Sequence, residues 1–226
     1  MSPAQATRSR RVYIPDVPVA SRPGAPPPEP DVVVIAAGDA LLEDPPRTHH
    51  VNVFAIAKRP VTNSEFAEFV KVTSHRAERW TEGPADHPAE GISWPDAVVY
   101  CRWLSTATAR IYRLPDEREW EKAARGGKGQ RWPWGDSEDP TRANTRESGL
   151  RGTSPVGAYP AGASADGVLD LIGNVREWTN TWADGRVMRG GSYLDPMAEC
   201  IPSRRMRLSA DLRGHGFRVV RSMTGR

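Results

Sequence analysis

The chain has 226 residues, 31 Lys and Arg against 28 Asp and Glu, and 38% hydrophobic residues, with 21 prolines and 20 glycines that imply many loops and few long regular elements. Two cysteines, Cys101 and Cys200, argue against a disulfide framework and for a reducing, cytoplasmic setting, and the longest apolar run, Val32 to Ala37, is too short to span a bilayer. The net charge of +3 comes without a recognition helix, ribonucleoprotein motif or zinc-finger spacing, which argues against nucleic acid as the partner.

Residues 1–30 are rich in Pro, Ala, Ser and Arg and end in Pro26-Pro27-Pro28-Glu29-Pro30. They read as an extended arm, either disordered or docking a protein partner, ahead of a domain over residues 31–226. Within the arm, Val12-Tyr13-Ile14-Pro15-Asp16 is too short and polar for a signal-peptide core. Val32–Ile35 is a first strand candidate, and the alternation over Val51–Ile56 predicts a second.

Three helices are announced by their caps. Thr62-Asn63-Ser64-Glu65 is a capping box, and Phe66, Phe69 and Val70 give its helix an apolar stripe. Ser93-Trp94-Pro95-Asp96 starts the second, with Ala97, Tyr100, Cys101 and Leu104 on one face. Asp116-Glu117-Arg118-Glu119 starts the third, which Trp120, Ala123 and Ala124 pack and Gly126-Gly127 ends. After Lys128 regular signals fade. Trp132-Pro133-Trp134-Gly135-Asp136 is a turn between bulky rings, residues 137–170 are loop-like, and strand candidates lie around Val156 and Val187-Met188. Early helices followed by a glycine-punctuated region predict an α+β, loop-rich domain whose loops carry most of the surface.

The densest composition runs from Gly173 to Arg218: Gly-Asn-Val-Arg-Glu-Trp-Thr at 173–179, Arg-Gly-Gly-Ser-Tyr at 189–193, and Gly-Phe-Arg at 216–218. Together with Arg59-Pro60-Val61-Thr62-Asn63, Gly91-Ile92-Ser93-Trp94, Tyr100-Cys101-Arg102-Trp103-Leu104, the run from Arg113 to Gly127 and Trp132 to Asp136, it resembles the formylglycine-generating enzyme, or sulfatase-modifying factor, family over about residues 50–221. The resemblance implies a compact fold related to C-type lectin domains, with few regular elements and a groove for a peptide, protein or small-molecule ligand. It also implies oxidation of a substrate cysteine by oxygen and a copper ion held on two cysteines. At the first of those positions this chain has Asp195, and Cys200 stands at the second. A hard carboxylate is a poor partner for Cu(I), which argues against copper and against formylglycine formation.

The resemblance further implies a structural Ca²⁺ ion held by Asp170, the carbonyls of Gly173 and Val175, and Glu177. A second site would use Asn144 and the Thr145 and Leu150 carbonyls, with Ser148 where a carboxylate is expected. Oxygen donors of this kind suit a hard cation. For chemistry in the groove, Cys200, Asp195, Arg204 and His215 are the candidates, against the plainer reading of Cys200 as a small buried thiol. For ligand binding they are Arg189, Ser192, Tyr193, Arg207 and Trp178; the arginines either clamp an anion or make structural ion pairs with carboxylates such as Glu177, Glu119 and Asp170. Trp178, Trp182, Trp132 and Trp134 read mostly as core, with one or two lining a groove. The remaining histidines, His49, His50, His75 and His87, have no ligand spacing. Two functions follow: a binding module of the family without the cysteine pair, or an oxidoreductase of the family that modifies a peptide or small metabolite without it.

Overall fold

The computed structural model describes residues 27–207 and 212–223. Its elements run β1 (Val32–Ile35), β2 (Gly38–Leu42), β3 (Arg47–Val51), β4 (Phe54–Ala57), α1 (Asn63–Thr73), α2 (Trp94–Thr108), β5 (Tyr112–Arg113), α3 (Glu117–Arg125), β6 (Arg176–Trp182), β7 (Arg186–Arg189), β8 (Met206–Arg207), β9 (His215–Gly216) and β10 (Val220–Ser222). The expected arm lies outside the described residues except for its last four. There Glu29 accepts a hydrogen bond from Tyr112 Oη at 3.0 Å.

The three helices begin where their caps place them. Thr62 takes the Glu65 amide while Glu65 Oε2 takes the Thr62 amide at 2.7 Å. Ser93 and Asp96 repeat the exchange on α2, and Asp116 and Glu119 on α3, because each box satisfies two otherwise orphaned N–H groups. Gly126 ends α3 at φ 64°. The apolar faces of α1 and α2 then meet. Phe66, Phe69, Tyr100 and Phe217 form an aromatic cluster with ring centroids 5.2–6.3 Å apart.

One sheet has the order β1-β4-β10-β5, a second is the β2–β3 hairpin, and a third has the order β8-β7-β6-β9. The strand expected over Val51–Ile56 is broken at Asn52-Val53. Val51 pairs with Gly38 in the hairpin, whereas Phe54 pairs with Ile35 and Ser222 in the first sheet, so the chain changes sheets between them. Val156 is a turn residue between Pro155 and Gly157, its N–H donating to the Asp86 carbonyl at 2.9 Å, and no strand forms there. Val187-Met188 does form a strand, paired to Arg207-Met206 on one side and to β6 on the other. The region 137–170 carries only short 3-10 turns, at Pro140–Arg142, Arg146–Ser148 and Pro160–Gly162. This arrangement packs β6 and β7 against α3 and leaves the loop after β7 folded back beneath them.

Candidate functional site

Gly190 and Gly191, at φ 88° and 71°, turn the chain at the end of β7 and carry Ser192, Tyr193 and Asp195 inward. Asp195 is saturated. Arg176, the first residue of β6, donates Nε at 2.8 Å and Nη2 at 2.5 Å to its two oxygens, and the Ser192 N–H and hydroxyl donate at 2.8 and 2.9 Å. Such a bidentate pair is the strongest geometry an arginine offers a carboxylate. Arg176 Nη1 also lies 3.2 Å from His215 Nε2, and the His215 ring sits edge-on to Trp178 at 5.6 Å. Asp195, Arg176, His215 and Trp178 are therefore joined in one run, buried except at the half-buried Arg176. Tyr193 lies beside it with its N–H on the Asn174 carbonyl at 3.2 Å.

Cys200 is fully buried, packed with Trp132, Ile172 and Met197. Its Sγ contacts the Pro196 carbonyl at 3.4 Å. Burial, and then the charges of Asp195 and Glu147, push its thiol up to about 12. A thiol so placed stays protonated at neutral pH and is a poor nucleophile. The two positions that would hold copper thus present a saturated carboxylate and a protonated thiol, and they do not fit Cu(I).

Two of the residues named for calcium, Asp170 and Glu177, contact a different cation. Arg218, fully buried, donates Nε and Nη2 to the two oxygens of Glu177, both at 2.6 Å. Its Nη2 also reaches the Leu169 and Asp170 carbonyls at 2.8 and 3.1 Å, and its Nη1 the Ala57 and Lys58 carbonyls at 3.1 and 3.4 Å. Trp120 Nε1 adds a donor to Glu177 Oε2 at 2.6 Å. The Asp170 carboxyl accepts the Gly157 N–H at 2.6 Å, and burial raises its pKa. With the Glu177 oxygens committed to internal donors, this set as arranged does not fit a calcium ion. Asn144, named for the second site, accepts from Ser148 Oγ at 2.7 Å and donates to the Gly152 carbonyl at 2.9 Å, so its side chain is also engaged. Among the described residues no group of three or more His, Cys, Asp and Glu side chains could hold a metal ion.

The arginines divide. Arg189 is 1% exposed and donates to Glu117 Oε2 at 2.8 Å, with Glu121 Oε2 3.3 Å away. Arg205 makes a bidentate pair with the same Glu117 at 2.6 and 2.7 Å. Arg204 is exposed and pairs with Glu199 at 3.1 Å. Arg207 lies in β8 opposite Val187. Structural ion pairing, rather than an open anion clamp, therefore occupies Arg189 and Arg218.

Trp178 is buried and donates its indole N–H to the Ile92 carbonyl at 2.8 Å. One of its edges lines an apolar pocket shared with Trp94, Trp182 and Arg186. Trp182 is 61% exposed and is not core. Two residues that the sequence does not single out stand here, Arg176 on Asp195 and Arg186 beside the apolar pocket. The signal for Arg176 was available: a carboxylate standing where a thiol belongs needs a cation nearby, and Arg176 lies within the Gly173–Thr179 motif. Nothing local marks Arg186, whose surroundings come from α2.

The family model described as sulfatase-modifying factor enzyme 1-like domain matches residues 19–223. A relative named inactive C-alpha-formylglycine-generating enzyme 2, from Bos taurus, is 34% identical over 216 residues, covering 68% of this chain and 69% of the relative. A formylglycine-generating enzyme from Mycobacterium tuberculosis is 34% identical over 208 residues, covering 62% of this chain and 67% of its own. Among solved structures, PvdO from Pseudomonas aeruginosa superposes with a TM-score of 0.72 at 26% identity over 86% of this chain and 95% of that one.

Proposed function

This chain belongs to the FGE-sulfatase family, and from that premise we propose that it is a ligand- or partner-binding module of the family that does not run the copper-dependent oxidation. The observation that carries the reading is Asp195. Its carboxylate is saturated by Arg176 and Ser192, and the remaining thiol, Cys200, is buried with its pKa pushed up to about 12. Oxidation of a substrate cysteine on copper needs thiolates free to hold a soft ion, and a carboxylate locked into a salt bridge supplies none. A relative of similar identity that is named inactive supports the same direction. The scaffold half of the motif, by contrast, is kept: Arg218 and Glu177 lock β6 to the segment between β9 and β10, and Gly190-Gly191 present the loop after β7. That combination preserves a rigid surface while dispensing with the reaction. In this reading, residues 1–30 add a docking arm for a protein partner.

The test is to incubate purified protein with Cu(I), wash it, measure bound copper, and follow oxygen uptake on a cysteine-containing peptide. The expected result is no retained copper and no uptake above the protein-free rate. Partners retained by the full chain are then identified by mass spectrometry and compared with those retained by a chain lacking residues 1–30. One equivalent of copper with turnover would overturn the reading and favour an oxidoreductase.

A further inference from the structure

Strand β1, Val32–Ile35, ends the first sheet: β4 lies on one side of it, and among the described residues no strand lies on the other. The ladder fixes where its free backbone groups point. The Ala57 N–H donates to the Val219 carbonyl at 2.8 Å, so Ala57 and, two residues away, Ala55 turn their groups toward β10. Lys58 alternates with them and donates its N–H to the Asp31 carbonyl at 2.8 Å. Val33 stands opposite Ile56 and Ile35 opposite Phe54, so the groups of Val33 and Ile35 face β4. The N–H and C=O of Val32 and Val34 therefore point off the sheet. Among the described residues none of these outward groups has a partner.

Sheet edges are ordinarily guarded by charge, proline, a bulge or shortness. The other described edge strands follow that rule: β5, β8 and β9 are two residues long, β2 holds Asp39 and β3 holds Arg47. β1 is Val-Val-Val-Ile, and Val34 is 53% exposed. The ends of its open edge are defined. Pro30, before it, has no N–H to give. The Ala36 carbonyl, after it, already accepts Lys122 Nζ at 2.8 Å.

These features match a second copy of the same segment run antiparallel. A two-fold axis at Val33 sets Val32 of each copy against Val34 of the other, and each such pair exchanges two N–H···O bonds, so every outward group of both strands is satisfied. The same register sets Pro30 against Ala36, where the missing donor meets the acceptor that is already filled. An axis at Val32 would set Val34 against Pro30 and leave a carbonyl without a donor. An axis at Val34 would aim the Val32 N–H at the carbonyl that Lys122 holds. The charges agree as well. Asp31 is exposed and Lys122 holds two carbonyls, neither makes an ion pair among the described residues, and the axis at Val33 brings Asp31 of one copy to the end of the edge where Lys122 of the other sits. An interface built on so short an edge is small beside the roughly 1,200–2,000 Å² of a stable one, which makes the association weak and concentration-dependent.

We propose that β1 is a self-pairing edge: two copies of this chain join antiparallel through Val32–Val34, and their four-stranded sheets become one continuous sheet in the order β5-β10-β4-β1-β1-β4-β10-β5. The pairing stands apart from the Asp195–Cys200 region and holds whether or not the chain is catalytic.

Sedimentation velocity on the full chain is run from about 1 μM to about 1 mM. The expected result is a monomer–dimer equilibrium. Val34→Lys puts a charge on the edge at an exposed position, and it is expected to weaken the dimer tenfold or more with Tm unchanged. Ile111→Lys, at a position 49% exposed beside the opposite edge strand of the same sheet, is expected to leave the equilibrium where it is. Register is read by crosslinking. In the proposed pairing the two Val33 residues form a pair without mutual hydrogen bonds, with Cα atoms about 4.5 Å apart, within the reach of a disulfide. Val33→Cys is therefore expected to give a 33–33 linked dimer on mild oxidation, mapped by mass spectrometry, and to do so faster than Val34→Cys, whose two copies are offset along the strands. A chain that stays monomeric to about 1 mM, a dimer that Val34→Lys leaves intact or that Ile111→Lys weakens equally, or crosslinking through Val34→Cys as fast as through Val33→Cys overturns the proposal.

Discussion

Replacing Arg218 with Met tests whether an internal cation, rather than a bound ion, organises the centre of the fold. Arg218 is fully buried, and Glu177, its partner, is 1% exposed. The substitution strands the Glu177 carboxylate with only the Trp120 indole as donor, and it takes a donor from the carbonyls of Ala57, Lys58, Leu169 and Asp170, of which that of Lys58 keeps the Leu169 N–H. Breaking one side of a buried ion pair costs about 3–5 kcal/mol. A carbonyl left dry adds on the order of 1 kcal/mol or more. In a domain of this length about 1 kcal/mol moves Tm by roughly 2–4 °C, so a fall of about 10 °C or more is expected. The double variant Glu177→Gln with Arg218→Met removes both charges and should fall by clearly less than the sum of the two singles. Urea unfolding followed by tryptophan fluorescence, together with calorimetry, reads both quantities. Calcium or a chelator should leave the wild-type Tm where it is, since a ligand that binds the folded state would raise it. Arg218→Met within about 1 kcal/mol of wild type, strict additivity in the double variant, or a wild-type Tm that rises with calcium would refute the argument.

Gly191→Ala should be among the most destabilising small substitutions, because a Cβ there meets Cys200 Sγ at 2.2 Å and Cβ at 2.9 Å, at a φ of 71°. Adding Cys200→Ala removes only the first contact, so unfolding measurements on the pair should show partial rescue; full rescue would mean that backbone strain plays no part. Both thiols should resist alkylation in the folded protein at mildly alkaline pH and react fully once it is unfolded, because burial raises Cys101 and Cys200 alike; rapid native labelling of Cys200, read by mass spectrometry, would contradict its placement. Burial by itself raises the Glu117 carboxyl, but hydrogen bonds and charge from Arg205 and Arg189 win and hold it below its ordinary 4.5. Its stabilising contribution is therefore complete above about pH 4.5 and is lost as the pH falls below that value through its lowered folded-state pKa. Unfolding free energies measured down through that range should show a shallower acid loss in Glu117→Gln than in wild type, and an unchanged acid loss would count against the pairing.

The parts of this fold that were legible in the sequence are the local ones. A capping box closes within four residues, so Thr62, Ser93 and Asp116 mark their helices without knowledge of anything distant. Trp132 and Trp134 likewise stack at 5.7 Å across a four-residue turn whose Gly135 completes the bridge. The β2–β3 hairpin escaped because Arg47-Thr48-His49-His50 carries no apolar alternation. Its core contacts come from Ala40 and Leu42, and pairing supplies the rest. Strand β10 is three residues long and owes its place to Ile56 and Arg113, far away in sequence.

The site divides along the same line. That Asp195 stands where a thiol is expected can be read by position alone, and the softness of Cu(I) then argues against the copper reaction. What Asp195 does instead depends on Arg176 arriving from β6, and what Arg218 does depends on Glu177 arriving from the same strand. The sequence shows a carboxylate and an arginine; only the fold decides that both arginines are spent internally. Arg186 is the converse case. It sits at the end of an ordinary hairpin turn, and its charge stays unspent because β6 and α2 bring tryptophans, not carboxylates, to its side. A motif whose charged residues are matched within the fold builds a scaffold.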